Sequence, residues 1–334
     1  MDLSIILVNW NSAEYLRAAL KSIYAEVKSV AFEVIVVDSA SYDGSAEMVA
    51  QEFPQVTFIQ STANIGFAAA NNLGYQRSSG NAILFLNPDT EVVGDALCKM
   101  VAHLNSDEKI GAVGCRVLNS DRTVQTACVQ AFPTILNQVL DARILQTAFP
   151  SSRLWGTQAL TGRGPQPVQV VAGSCLMVKR AAFDLARGFD NRYFMYVEDL
   201  DLCHTLWQLG YRVEHVPDAS VIHHGGSSAS TREESQFATV MQRESMRKFF
   251  HKTGGPVYAA IYRASMGAAA LIRMALVSIS IPFRMLSRSR RKYALPPLRK
   301  WFRVFRWALG LERWSKKAAY QASITVASRQ NAST

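Results

Sequence analysis

An α/β fold built around a doubly wound, mostly parallel sheet is what this sequence predicts, and three observations carry the expectation. Short continuous apolar runs recur at the start of the chain, each ending in polar residues, as strands buried on both faces do. A helical stretch follows each run, opened by Ser, Asp, Gly or Asn. The 334 residues are 49% hydrophobic and 19% charged, which excludes a disordered or collagen-like chain and leaves ample length for a core.

The first run, residues 4–8, leads through Asn9-Trp10-Asn11 into a helix over 13–27. The second, 33–37, ends at Asp38-Ser39, and Asp43-Gly44 opens a helix over 45–53. The third, 56–59, passes Ser61 and Asn64 to a helix over 67–77, and the fourth, 82–86, delivers Asn87-Pro88-Asp89 ahead of a helix over 95–104. Strand followed by helix, repeated in this way, builds a doubly wound sheet, and ligands of such sheets bind beyond the carboxyl ends of the strands. From 119 to 167 the pattern weakens among Gly, Pro and Arg, and a surface excursion is expected. A second patterned block, 168–224, is followed by a polar segment over 227–236 and a helix near 237–251; no internal repeat is visible.

The net charge of +10 divides unevenly. Residues 256–334 hold fifteen Lys and Arg against one acid, Glu312, a net of +14, and the rest holds 21 basic against 25 acidic residues, a net of −4. Two units are therefore expected: a slightly acidic α/β body over 1–255 and a basic helical tail over 256–334. The five cysteines form no CxxC pair and suggest neither a disulfide framework nor a zinc site, and the N-terminus has no basic region ahead of its short apolar run. A cytoplasmic location is the expectation.

The polar strand ends carry the candidate chemistry. Asp38 stands where a carboxylate could accept hydrogen bonds from a base or ribose, or could begin a turn, while Asp43 reads as a helix cap. Gly66-Phe67 opens a helix of small residues that reaches Asn71-Asn72, a setting for a phosphate or for close helix–sheet packing. Asp89 could serve a hard divalent cation or an Asx turn. Glu198, Asp199 and Asp201 crowd three carboxylates into four residues beside aromatics, where repulsion and desolvation raise pKa values as a general base requires. On a helix Glu198 and Asp201 share a face and Asp199 does not, and Asp201 is accounted for equally by the helix dipole. The pair His223-His224 ends an apolar run beside two glycines, so a metal or phosphate role stands beside a structural one.

In this order the motifs VNWN, VVDSASYDGS, NIGFAAANN, FLNPD, GFDNRYFMYVEDLDL and HHGGSS resemble those of the family-2 glycosyltransferases of the GT-A fold, within them the rhamnosyltransferase-like branch. The resemblance implies a nucleotide-sugar donor held by Asn9, Trp10, Asn11, Asp38, Gly66, Phe67, Asn71, Asn72 and Asn87. It implies Mg²⁺ or Mn²⁺ on Asp89 and His223, the latter 24 residues after Asp199, which is the implied catalytic base. Glu198, Gly173 and Ser174 are implied on the acceptor side or in support. Inverting transfer of L-rhamnose from dTDP-rhamnose to a polyprenyl-diphosphate-linked glycan follows, in cell-surface polysaccharide synthesis. Two positions depart from the family pattern: Asn87 replaces a carboxylate, and Thr205 stands where an Arg is usual, so a structural ion pair is expected to be missing.

In the tail, residues 257–283 are apolar but contain Arg263 and Arg273. At about 100° per residue Arg263, Arg273 and Arg284 fall within roughly an 80° arc, which suits a helix lying in a membrane interface with its arginines toward the head groups. Beyond it Lys and Arg interleave with Trp and Phe, a composition that fits an anionic leaflet on the inner face of the cell membrane. Nucleic acid is not expected as a partner. A UDP-hexose donor, a silent scaffold and a nucleic-acid-binding protein are the competing readings.

Overall fold

The computed structural model describes residues 1–125, 128–140, 164–225, 232–285 and 296–315. At its centre is a nine-stranded mixed sheet. The strands are β1 (Leu3–Asn9), β2 (Phe32–Asp38), β3 (Thr57–Gln60), β4 (Ala82–Leu86), β5 (Thr90–Val93), β6 (Ile110–Leu118), β8 (Gln166–Pro167), β10 (Cys175–Lys179) and β11 (Arg212–His223). Their order is β3-β2-β1-β4-β10-β6-β11-β5, with β8 also on β11. β7 (Val129–Gln130) and β9 (Val170–Val171) form a separate antiparallel pair. The helices are α1 (Ala13–Glu26), α2 (Ser45–Glu52), α3 (Phe67–Tyr75), α4 (Ala96–Leu104), α5 (Ile135–Leu140), α6 (Arg180–Leu185), α7 (Glu198–Gln208), α8 (Arg232–Met285) and α9 (Pro296–Ala308).

The parallel strands β3, β2, β1 and β4 are the four apolar runs expected, β3 starting one residue late. Ile5, Ile6, Leu7, Ile35, Val36, Ile83 and Phe85 are fully buried, as strands covered on both faces require. Past β4 the sheet changes direction. β10 inserts antiparallel between β4 and β6, because Leu176, Met177 and Val178 are all apolar and fill an interior slot. An antiparallel strand begins where its parallel neighbour ends, so Gly173 and Ser174 arrive beside Asn87, whose N–H donates to the Ser174 carbonyl at 3.1 Å. β5 pairs antiparallel with the end of β11 in a register that sets His223 opposite Thr90.

Within the stretch expected as an excursion, residues 126–127 and 141–163 lie outside the described residues; the rest carries β7, α5 and β8. The polar segment over 227–236 is likewise outside as far as 231, and α8 begins at Arg232. α8 bends at Gly255, whose φ of 80° is left-handed, where the slightly acidic body meets the basic tail. Before the bend Val240, Phe249 and Phe250 pack into the body; after it Tyr262, Met266 and Ala270 pack with Trp301, Val304 and Trp307 of α9.

The arginine arc needs correction. Arg263 donates through Nε and Nη2 to the carbonyls of Ala308 and Trp307, closing the C-terminus of α9. Arg273 donates to the carbonyls of Val139 and Leu140 at the end of α5 and lies 4.4 Å from the Trp301 ring centroid. Orphan carbonyls at a helix C-terminus carry partial negative charge, and they hold these guanidinium groups inward rather than toward head groups. Arg288, Arg290, Arg291, Lys292, Lys316 and Lys317 lie outside the described residues.

Candidate active site

A cavity of about 490 Å³ opens beyond the carboxyl ends of β1, β2 and β4, where the sheet reverses. One wall is the turn after β4. Asp89, nearly buried, places Oδ1 3.3 Å from His223 Nε2, and Asn87 Nδ2 lies 3.3 Å from the same nitrogen. Gln125 grips the histidine from behind: its Oε1 is 3.1 Å from Nδ1 and its Nε2 donates to the His223 carbonyl at 2.7 Å. An Nδ1–H donating to Gln125 leaves Nε2 as a lone pair aimed at the Asp89 side, the form in which imidazole binds a metal. His224 turns the other way, its Nε2 2.6 Å from Glu91 Oε1 and its Nδ1 2.8 Å from Ser120 Oγ. The two histidines at the end of β11 are thus distinguished by their partners.

The opposing wall is the start of α7. Asp199 accepts hydrogen bonds from the N–H of Gly173 at 2.7 Å and of Leu200 at 2.8 Å. A Cβ on Gly173 would lie 3.1 Å from both Cβ and Oδ2 of Asp199, so glycine is what lets the carboxylate come this close. Burial raises the Asp199 pKa against those two hydrogen bonds. Glu198 beside it is buried with Oε2 unpartnered, and burial together with the Asp199 charge pushes it up to about 8. Both line the cavity. Tyr196 and Val197 just before them hold φ of 69° and 75°. A left-handed conformation costs a non-glycine residue about 1–3 kcal/mol, and surrounding contacts must maintain it. Ser245 Oγ of α8 donates to the Met195 carbonyl at 2.9 Å, and Lys248 Nζ to that of Arg192 at 2.7 Å.

Asp201 faces away from the cavity. It accepts from Tyr193 Oη at 3.2 Å and from Lys252 Nζ at 2.7 Å. Next to Thr205, Lys252 of α8 forms an ion pair with Asp201 and lies 3.5 Å from Thr205 Oγ1.

The third side is the ridge at the ends of β1 and β2. Trp10, Ser12 and Ser39 line the cavity, whereas Asn9, Asn11 and Asp38 stand behind it. Asn9 Nδ2 donates to Asp38 Oδ1 at 2.7 Å and to Ser45 Oγ at 2.9 Å; Asp38 Oδ2 accepts from the Ser41 N–H and from Gln60 Nε2. Asn11 bridges to Ser41 and Tyr42. Asp43 accepts from Ser45 N–H at 3.2 Å at the start of α2, the helix its sequence position suggests, and also from Ala13 N–H at 2.8 Å at the start of α1.

Gly66 and Phe67 line the roof. Gly66 has φ of 82°, a Cβ there would collide with the Phe194 carbonyl, and that carbonyl takes the Phe67 N–H at 2.7 Å. Close packing of the 194 loop thus accounts for the glycine. Asn71 and Asn72, expected at the donor, are directed elsewhere. Asn71 Nδ2 bonds the Phe67 carbonyl one turn back, and Asn72 bonds both backbone groups of Phe189 and the side chain of Asn191, tying α3 to the loop before α7. Ser39, at the polar end of the second run, lines the cavity as its position suggested, whereas Gln125, Gln242 and Met246 are cavity residues the sequence did not signal. Gln125 is 98 residues from His223 in a stretch without pattern, and no local signal pointed to it.

The arrangement offers an oxygen and a nitrogen ligand on one wall and two raised carboxylates on the other. Among the described residues no group of three His, Cys, Asp or Glu gathers, so a cation here would complete its shell with ligand oxygens and water.

The sequence profile described as glycosyl transferase family 2 matches residues 4–185. The chain is 28% identical over 250 residues to the N-acetylglucosaminyl-diphospho-decaprenol L-rhamnosyltransferase of Mycobacterium tuberculosis, covering 71% of this chain and 80% of that protein. It is 26% identical over 229 residues to rhamnosyltransferase WbbL of Escherichia coli K12, covering 66% and 82%. Among solved structures, the mannosyltransferase PcManGT from Pyrobaculum calidifontis, in complex with GDP-Man and Mn²⁺, superposes with a TM-score of 0.52 at 19% identity over 92% of this chain and 86% of that one. GalNAc-T7 with UDP, GalNAc and Mn²⁺ gives 0.52 at 17% identity over 67% and 44%. These likenesses establish the GT-A fold.

Proposed function

The chain belongs to glycosyl transferase family 2 and is a glycosyltransferase, and on that premise we propose that it moves L-rhamnose from dTDP-rhamnose, with inversion, to a hydroxyl of a polyprenyl-diphosphate-linked glycan. The observation that carries the proposal is the meeting of two walls in one cavity: Asp89 with His223, and Glu198 with Asp199. The sugar identity and the lipid-linked acceptor rest on the named relatives, whose printed activities are rhamnosyl transfer.

In this reading the nucleotide lies along the Trp10–Ser39 ridge, which the Asn9–Asp38–Ser45 web holds rigid from behind. The donor set of Asp89 and His223 fits Mg²⁺ or Mn²⁺, which when bound would offset the charge of the departing diphosphate. Gln125 fixes the His223 ring, and Asn87 supplies a neutral amide beside it. Asp199 takes the proton of the acceptor hydroxyl, its raised basicity arising from burial, while the Gly173 and Leu200 N–H groups fix its orientation. Glu198, holding a proton below about pH 8, limits the negative charge gathered beside Asp199. Tyr196, Gln242 and Met246, which line the same cavity as Asp199, are assigned to the acceptor. The enzyme works at the cytoplasmic face of the membrane, where such an acceptor is presented, with its basic tail against anionic lipid.

The test is transfer from a panel of nucleotide sugars to an undecaprenyl-diphosphate-GlcNAc analogue, with and without Mn²⁺ or Mg²⁺. The proposal expects metal-dependent turnover of dTDP-rhamnose above all others. Preferential turnover of a UDP-hexose would reassign the donor, and no turnover of any sugar onto this acceptor would reject the proposed reaction.

A further inference from the structure

We propose that the outward face of α8 beyond Gly255 is a lipid-contact surface, seated in the head-group boundary of an anionic leaflet, a surface whose use rests on the lipid-linked acceptor proposed above. After the bend this helix has two unlike sides. The inner one buries Tyr262, Met266 and Ala270 completely. The outer one exposes Val257, Ile261, Leu271, Ile272, Leu276 and Ile279, each between 49% and 71% accessible. At about 100° per residue these six fall within roughly 140° of arc, a single broad stripe. The residues between them on that side are small, including Ala260, Ala264, Ala268 and Ala275, all exposed.

The charges of this segment make the stripe uninterrupted. Arg263 and Arg273 are the only charged residues between 257 and 279, and both are drawn inward to carbonyls at the ends of α9 and α5. Leu136 and Leu140 are exposed on α5, which Arg273 ties to this helix. Monomeric soluble proteins rarely leave so continuous an apolar surface without an occupant.

Charge decides which occupant. Residues 256–334 carry a net +14, and the exposed Arg299, Lys300 and Arg313 belong to α9 and the turn after it, which pack beside the stripe. A second copy would bring two such tails together, whereas anionic lipid is attracted by them. A membrane-crossing arrangement would place the inner side, with its bonded guanidinium groups and its partner helix α9, in hydrocarbon. One apolar side and one protein-packed side describe a helix that lies along the interface. The same helix, before its bend, supplies Gln242 and Met246 to the cavity, so docking of the stripe would fix the cavity relative to the leaflet.

The test is flotation of the full-length protein with vesicles of phosphatidylcholine alone or mixed with phosphatidylglycerol, beside the triple variant Ile272→Gln, Leu276→Gln, Ile279→Gln. These positions are exposed, so the thermal melt should be unchanged. The expected result is flotation of the unaltered chain with the anionic vesicles, release by alkaline carbonate, and a drop in partitioning of about tenfold or more in the variant. Equal flotation of the variant would overturn the proposal. So would an unaltered chain that resists carbonate, or one that forms a lipid-free dimer which the variant abolishes. Transfer to a water-soluble acceptor should be equal in both proteins; its absence from both, with flotation as expected, would remove the proposed function and leave this surface standing.

Discussion

Asp199 owes its position to a residue with no side chain. Gly173 lets its own N–H reach Asp199 Oδ2 at 2.7 Å, where a methyl group would crowd the carboxylate at 3.1 Å. Gly173→Ala is therefore expected to shift the base by a few tenths of an ångström, lowering kcat about tenfold with little change in the melting temperature; steady-state kinetics beside a thermal melt check this. Glu198 gives a pH signature. Its carboxyl is raised from 4.5 to about 8, so in that window the folded chain holds a proton that the unfolded chain has released. Stability from this group is full below the lower value and falls as pH rises toward the upper one. Glu198→Gln abolishes the titration, and its melting temperature should fall less than that of the unaltered protein between about pH 5 and pH 8. Parallel curves would refute the assignment. The acidic cluster of Glu198 and Asp199 and the Asp89 turn were legible as cavity residues because strand ends and acidic clusters announce themselves locally. The Gln125 clamp was not, since it depends on which loop the end of β11 meets.

At the scale of elements, α8 is the support on which α7, the helix that carries Glu198 and Asp199, rests. Lys252 pairs with Asp201 at 2.7 Å across 51 residues of sequence, and Ser245 and Lys248 hold carbonyls of the loop that carries the left-handed Tyr196 and Val197. Lys252→Met should strand the buried Asp201 carboxylate and cost on the order of 2 kcal/mol, with Lys252→Arg recovering most of it; chemical denaturation measures both. The four parallel strands could be read almost to the residue because a strand covered on both faces is apolar throughout. The antiparallel β10 and the edge strand β5 could not, because pairing direction is set by distant neighbours. The tail shows the same division. Its period placed Arg263 and Arg273 on one side of a helix, but only the packed structure reveals that this side faces the carbonyl ends of α9 and α5.

At the scale of the whole molecule, the charge division acquires a physical meaning. A body of net −4 contains the cavity, and a region of net +14 includes α9 and the outward stripe of α8. The acidic groups of the cavity suit a site where a cation and two raised carboxylates act together, while the basic region suits a surface that meets anionic lipid. The chemistry proposed for the cavity rests on Asp199 removing the acceptor proton. The direct measurement is kcat for sugar transfer by Asp199→Asn, with circular dichroism and dTDP-rhamnose binding recorded on the same preparation. A loss of about a thousandfold is expected with the fold and donor binding retained; transfer near the unaltered rate by a folded variant would contradict the assignment of Asp199.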